Sequence, residues 1–439
     1  MKFRRWVRFA GATSAAAALP LVAIDRLHLR KPVITAEPER GTSFWMATIP
    51  TPPRFPHLEE DIEVDVAVVG GGFTGMATAY YLKIGDPSLH VALLEAQRLG
   101  SGSSSRNSGG VSPRFRGHDP DDQSRRAFDL LKHFGEIEGI DFDLQENVPA
   151  LSLHHRMPRA SAPKLTGEQL AREIGSRYYV GADATSTNSL HPGKLVAGLI
   201  QANARVGVDL YEYSPVIEIE RGRPITLITP QGRVRARDVV LATNAYSPQL
   251  GIVPEIVLTI HHRVLVTRPL NTAEWEMSGL ERWPLRFEAG GYSTHTVRST
   301  ADRRFFFRHV LGHRAFEAPD WEIDGRVRKA GQRELLRRYP WLEDVPIEFE
   351  WHGITGRTRD WWPVSGQIDE HLYLAVGFNG SGVMPTHFFG YLLANRILGI
   401  ELPEHSLLRP PELHRRIPGK LSRHLVFQSW INFRKLRDG

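Results

Sequence analysis

Residues Asp65 to Glu95 read DVAVVGGGFTGMATAYYLKIGDPSLHVALLE, and the three consecutive glycines between an apolar run and a helical run restrict the fold more than any other feature. Val66 to Val69 is apolar at every position rather than alternating, as in a parallel strand covered on both faces. Gly70, Gly72 and Gly75 then supply G-x-G-x-x-G spacing: the first allows a tight turn, the second lets backbone approach a pyrophosphate, the third permits close helix–strand packing. A helix beginning near Thr74 offers unpaired N–H groups and its dipole to an anion. Met76, Ala77, Ala79 and Tyr80 continue that helix at roughly helical spacing. After the GDPS turn, His90 to Leu94 forms a second apolar strand that ends in Glu95, whose carboxylate can accept both ribose hydroxyls of an adenosine. Glu95 lies about 25 residues beyond Gly70, where the fingerprint expects roughly 20. The stretch predicts a βαβ dinucleotide-binding unit, and at this point several dinucleotides suit it.

The next residues narrow the choice. AQRLGSGSSSRNSGGVSPRF, following Glu95, is polar, rich in glycine and serine, and too long for a mere turn. It resembles the second phosphate and flavin loop of the D-amino-acid-oxidase-like FAD oxidoreductases, where E-A-x-x-x-G-x-G-A-S-x-R-N-x-G-G follows the dinucleotide fingerprint. Upstream, SFWMATIPTPPRFPHLEEDIEVDVAVVGGGFTG resembles the entry to the γ-glutamylputrescine-oxidase-like branch. HPGKLVAGL, VVLATNAYSP, GITGRTRDWWPVSG and LYLAVGFNGSGVMPTHFFGYLLANRILG have counterparts there in the same order, so the resemblance covers about Thr42 to Gly399.

The resemblance implies an α/β fold in which a Rossmann-type FAD-binding domain is interleaved with a mostly antiparallel β substrate domain. The expected division is a signal- or anchor-like segment over 1–40, FAD-binding parts over 41–118, 182–250 and 350–400, substrate-domain parts over 119–181 and 251–349, and a basic tail over 401–439. It also implies a set of FAD contacts: Gly70, Gly72, Phe73, Thr74 and Gly75 at the glycine turn; Glu95 and Ala96 at the second strand; Ser104, Ser105, Arg106, Asn107, Gly109 and Gly110 in the serine loop; Val216, Thr243 and Asn244 further on; and Gly380, Ser381, Gly382 and Val383 ahead of the last helix. That helix, from about Pro385 to Leu398, would turn its N-terminal N–H groups toward the flavin pyrimidine carbonyl and favour the anionic reduced ring. Pro192 suits a helix start, leading to a strand at Val208 to Tyr211. HHRVLVTRPL and RRFFFRHVLGH read as substrate-domain strands, with AEWEMSGLERW a loop or short helix between them.

Composition removes other chemistries. The 439 residues include no cysteine, which leaves no disulfide, zinc thiolate, thiol nucleophile or cysteinyl flavin. No histidine stands in SGSSSRNSGG, so the FAD is expected to be noncovalent. The pairs His154–His155, His261–His262 and His309/His313 have no H-E-x-x-H context or acidic cluster nearby and read as packed or solvent-facing histidines rather than a metal site. A P-loop, a hydrolase nucleophile elbow and a second dinucleotide fingerprint are all missing from the sequence. The net charge of +6 is compatible with an acidic surface or an anionic substrate, and no nucleic-acid-binding motif accompanies it.

The termini carry separate expectations. MKFRRWVRFAGATSAAAALPLVAID places four basic residues before an apolar stretch from Phe9 to Ile24. That stretch is short for a membrane span and long enough for a signal core. The Arg4–Arg5 pair suggests folded-protein export to the periplasm; an uncleaved membrane anchor, a mitochondrial presequence and a cytoplasmic extension stay open. KLSRHLVFQSWINFRKLRD, near the other end, suits either contact with an anionic membrane surface or an amphipathic helix packed on the FAD domain.

The expected activity is oxidation of a C–N bond of an amine or amino acid by hydride transfer to flavin N5, giving an imine that water hydrolyses. O2 or a respiratory carrier would take the electrons. His262, Arg298, Arg357 and His387 are the substrate-side candidates. Sarcosine-oxidase-like members carry a basic residue where Met384 aligns, and an apolar side chain there cannot pair a substrate carboxylate. The alternative is a catalytically quiet FAD-binding protein that serves assembly at a membrane complex.

Overall fold

The computed structural model describes residues 42–112, 122–158, 162–289, 295–313 and 325–417, together with Gly419 and Ser429. The signal-like segment and, Ser429 apart, the basic stretch from Leu421 to Phe433 lie outside them. Among the described residues no helix is long and apolar enough to cross a membrane.

Two sheets organise the chain. In the first, five strands run parallel in the order Leu372–Val376, Arg233–Leu241, Ile62–Val69, Val91–Leu94 and Asp209–Tyr211. Val364–Asp369 adds an antiparallel edge, and Glu218–Glu220 with Ile225–Ile228 forms a meander onto Arg233–Leu241. The unbroken apolar run at Val66 to Val69 now has its cause. Val66 and Val68 pack under the helices Phe73–Gly85, Pro192–Arg205 and Val383–Ile397, while Ala67 and Val69 join Leu94, Leu227 and Val257 on the other face.

The second sheet has the order Ile347–Arg357, Leu258–Pro269, Arg304–His313, Thr296–Ser299, Leu285–Glu288, Gln145–His154, Gly181–Ser189 and Gly110–Val111, with Leu165–Thr166 beside Gly181–Ser189. Its neighbours are antiparallel except Leu285–Glu288 against Gln145–His154. This is the α/β fold with a mostly antiparallel second layer. Strand pairing carries the second sheet beyond the expected limits, since Gly181–Ser189 pairs with Gln145–His154 and Ile347–Arg357 pairs with Leu258–Pro269. Hydrophobic pattern alone does not reveal which sheet a strand joins, and Gly181–Ser189, with the sequence GADATSTNS, offers almost no apolar alternation to read. Between the two expected substrate-domain strands, Thr272–Ser278 is a short helix whose Asn271 and Glu274 form a capping box.

Two close approaches set the geometry of the parallel layer. A Cβ added at Gly75 would lie 1.9 Å from the Gly70 carbonyl oxygen, so the helix crosses its own entry turn with no room for a side chain. A Cβ at Gly390 would lie 2.8 Å from Ala77 Cβ and 2.9 Å from Thr74 O, so Val383–Ile397 and Phe73–Gly85 meet backbone against backbone. Gly75→Ala should therefore lower stability by at least about 2 kcal/mol through overpacking, measured as a fall in the urea midpoint of the purified protein.

Candidate active site

The glycine turn lies at the carboxyl ends of the parallel strands, where ligands of such sheets bind. Gly70 has φ +108, a value that only glycine adopts readily, and its N–H donates to Leu94 O at 2.8 Å. Glu95 accepts from Gly71 N–H at 2.7 Å and from Gln97 N–H at 2.9 Å, which fixes the carboxylate at the strand tip. Burial raises this carboxyl group, and the same N–H groups oppose the rise. Ser104 Oγ accepts from Phe73 N–H at 2.9 Å, fastening the serine loop to the first turn of the helix.

That loop is held from both layers. Arg106 donates from Nε to Ser101 O at 2.6 Å and from Nη1 to His352 O at 3.1 Å. Trp351 Nε1 donates to Arg106 O and Trp45 Nε1 to Asn107 O. Asn107 Nδ2 donates to Ser103 O and Ser104 O, and its Oδ1 accepts from Gly109 N–H. At the far end Asn244 Oδ1 accepts from Gly377 N–H, and the chain reverses through positive φ at Gly377, Asn379 and Gly380 into Val383–Ile397.

These pieces line one cavity. Every residue expected to contact FAD is on its wall except Gly75, Ser105, Gly109 and Ser381. Gly75 is under the turn, Ser105 is buried, and Gly109 spends its carbonyl on Leu190 N–H. The donor set fits FAD: backbone N–H groups at a glycine turn, a carboxylate at the next strand tip, and a second helix N-terminus at the opposite end. A Cβ at Gly72 would meet only Ser104 Oγ, at 3.0 Å, so the fold leaves room there that a phosphate can use.

The substrate-side candidates separate. His262 is on the cavity wall, with Nε2 2.8 Å from Thr355 Oγ1. Burial, with the Arg308 and Arg357 charges beside it, holds its imidazole well below the ordinary range, so it is neutral at pH 7. Arg298 is not on the wall. It donates to Ser108 O, Leu190 O and Ser189 Oγ and stacks 4.8 Å over Trp45, as a strut between loop and sheet. Arg357 is buried behind the Gly380 turn, its guanidinium 5.1 Å over the Trp361 ring. His387 is fully buried between helices, with Nε2 2.9 Å from Tyr81 Oη, and burial pushes its imidazole down to about 3. Met384 is in the apolar core rather than on the wall. Thr386, one residue earlier, is on the wall, so His387 misses the cavity by the side of the helix it occupies, a fact set by helix rotation that motif spacing does not report.

The structure also adds residues that pattern reading passed over: Arg308, Thr355, Tyr246, Gln249 and Phe378 on the wall. Arg308 falls in a run read only as a strand, and its facing follows from register. Among the described side chains of the histidine pairs, His154 meets Asp183, His155 meets Glu288, His261 meets His352, and His309 meets His295, while the side chain of His313 lies outside the described residues.

A parallel sheet with a glycine-turn cradle, joined through one cavity to an antiparallel sheet, defines a dinucleotide-binding protein of two interleaved layers. The chain belongs to the FAD dependent oxidoreductase family, whose model matches residues 65–396. It is 27% identical over 433 residues to the probable oxidoreductase OrdL of Rhizobium meliloti, covering 91% of this chain and 97% of that protein. It is 28% identical over 398 residues to gamma-glutamylputrescine oxidoreductase of Escherichia coli, covering 82% and 90%. Among solved structures, glycine oxidase from Geobacillus kaustophilus superposes with a TM-score of 0.63 at 21% identity, covering 81% of this chain and 99% of that one.

Two outcomes follow from the geometry. Gly72→Val should keep the fold, read by circular dichroism, and lose the flavin absorbance, because its methyl groups enter the cradle. His387→Phe should flatten the acid sensitivity of folding. A buried histidine that stays neutral while its unfolded counterpart protonates leaves stability intact above pH 6.5 and removes it as pH falls below that value, about 2 kcal/mol by pH 5. Urea unfolding of both proteins at pH 7 and pH 5 measures the difference.

Proposed function

We propose that the protein oxidises the C–N bond of an amine or amino acid. The observation that carries this reading is the continuity of the cavity, which runs from the dinucleotide cradle to a polar patch on the second sheet around His262 and Thr355. The name of the Escherichia coli relative supports an amine substrate. The chemistry FAD supplies when bound is acceptance of a hydride from the carbon bearing nitrogen, which leaves an imine for water to hydrolyse.

The protein's own part is positioning and charge. The imidazole of His262, neutral at pH 7, brings no positive charge of its own beside the substrate nitrogen and can accept a hydrogen bond from the uncharged amine, the form whose C–H can leave as hydride. Gly382 and Val383, at the start of Val383–Ile397, line the cavity, and a helix N-terminus there suits negative charge building on the reduced cofactor. The 3-10 helix Asn244–Leu250 contributes Tyr246, Gln249 and Leu250 to the wall and narrows access for water.

Mixing the anaerobic yellow protein with polyamines, their γ-glutamyl derivatives and D- and L-amino acids should bleach the flavin with at least one of them. A flavoprotein kept for assembly would stay yellow with all. Admitting air or a quinone to the bleached protein then separates O2 from a respiratory carrier as acceptor.

A further inference from the structure

Residues 414–417 cross the second sheet beside the cavity. Ile260 stands opposite Thr355, which is on the cavity wall, and strand alternation puts it one step before His262 on the same face. Leu258, Ile260 and Val310 form a small apolar cluster there, and Ile417 packs against it. The Ile417 N–H also donates to Glu255 O at 2.7 Å. Just before it, His414 is buried, and its Nδ1 lies 2.9 Å from the Asp360 carboxylate in the loop after Ile347–Arg357. These contacts pin the chain at the Thr355 end of the cavity, in a region beyond the family match, which ends at residue 396.

What this corner presents to water is basic and apolar. Arg359, Arg415 and Arg416 are exposed, and among the described residues none of the three has an ion pair. Arg409 differs, lying 4.5 Å over the Trp362 ring. Leu413 is 65% exposed, and Trp361 is partly exposed. The acids here are Asp360, held by His414, with Glu412 and Glu255. The residues that follow tip the balance: they bring Lys420, Arg423, Arg434, Lys435 and Arg437 against Asp438. Interleaved with those charges stand Leu421, Leu425, Val426, Trp430, Ile431 and Phe433.

Basic and apolar side chains in alternation find partners together at the boundary of an anionic lipid layer, where arginines meet headgroups and apolar groups meet acyl chains. A nucleic acid would use the charges and leave the apolar side chains in water. We infer that this corner, with the chain that follows it, docks on an anionic lipid surface and so sets the Thr355 end of the cavity beside the headgroups. Such a contact needs no membrane-spanning helix. It goes beyond the amine-oxidising reading and does not depend on it.

The chain has no cysteine, so a single introduced thiol carries a fluorophore to one place. In the FAD-loaded full chain, an environment-sensitive dye at Gln428→Cys or at Glu412→Cys should shift to the blue on vesicles of mixed phosphatidylglycerol and phosphatidylcholine. On phosphatidylcholine alone it should stay unchanged. A dye at Ser88→Cys, in the exposed turn before Val91–Leu94 and so at the other ends of the parallel strands, should respond to neither. Adding Arg415→Gln/Arg416→Gln to the labelled Gln428→Cys protein should raise the lipid concentration at half-shift about 10- to 30-fold with FAD content unchanged, and added salt should act in the same direction. A dye at 428 that is already blue-shifted in buffer and unmoved by vesicles would show the chain packed on the protein and overturn the inference. Equal shifts on neutral and anionic vesicles would overturn it too, as would a shift at Ser88→Cys matching that at Glu412→Cys, or vesicle binding with the 412 and 428 dyes silent, because the protein would then meet lipid by another face. None of these measurements uses turnover, so the docking and the amine-oxidising reading fail separately.

Discussion

The absence of a side chain at Gly75 and Gly390 is the constraint on which the rest depends. One lets the first helix cross its entry turn, and the other lets the last helix settle against the first. A Cβ would come within 1.9 Å of a neighbouring atom at Gly75 and within 2.8 Å at Gly390, approaches that no other residue type meets without movement. Together they bring two helix N-termini to the same cavity, one at the glycine turn and one at Gly382. Each N-terminus favours negative charge. Opposite ends of an anionic cofactor bound there would meet the same physical device, and its spacing is set by backbone contact rather than by long side chains.

The serine loop performs the second essential task, which is to join the layers. Its hydroxyl at Ser104 serves the first helix, while its carbonyls at Arg106 and Asn107 receive two tryptophan N–H groups, one from Trp351 in the second sheet and one from Trp45 in the short helix Phe44–Ala47. Arg298 and Arg106 stitch the same loop to its surroundings through main-chain carbonyls. Arginines near a flavoenzyme cavity invite a catalytic assignment, and here the hydrogen bonds of Arg106, on the wall, and of Arg298, off it, serve the architecture. Buried guanidinium groups that satisfy several carbonyls at once are costly to leave unpaired, and removing either one would orphan those carbonyls.

Electrostatics follow from burial. His262 and His387 are both held neutral by desolvation, yet only His262 opens on the cavity. The same physical shift has different consequences: at position 387 it is a cost to folding in acid, and at position 262 it leaves a neutral acceptor beside two arginines. The Glu288 carboxylate, ringed by His155, His295 and Arg338, shows the opposite case. Its neighbours hold it charged against the burial that would raise it.

By itself the sequence determined the dinucleotide layer. G-x-G-x-x-G between an apolar strand and a helix, with Glu95 at the next strand tip, is local, so its geometry follows from turn sterics and short spacing, and the structure keeps it almost residue for residue. The helix start at Pro192 and the Gly-rich entry to Val383–Ile397 were legible for the same reason. Tertiary structure alone decided which side chains share the substrate end. Arg308 and Thr355 reach the cavity because strand register sets their facing, and Arg298 and His387 leave it because a loop carbonyl or a neighbouring helix claims them first. Register and helix rotation depend on contacts between segments far apart in the chain, and a shift of one residue in a strand reverses every facing.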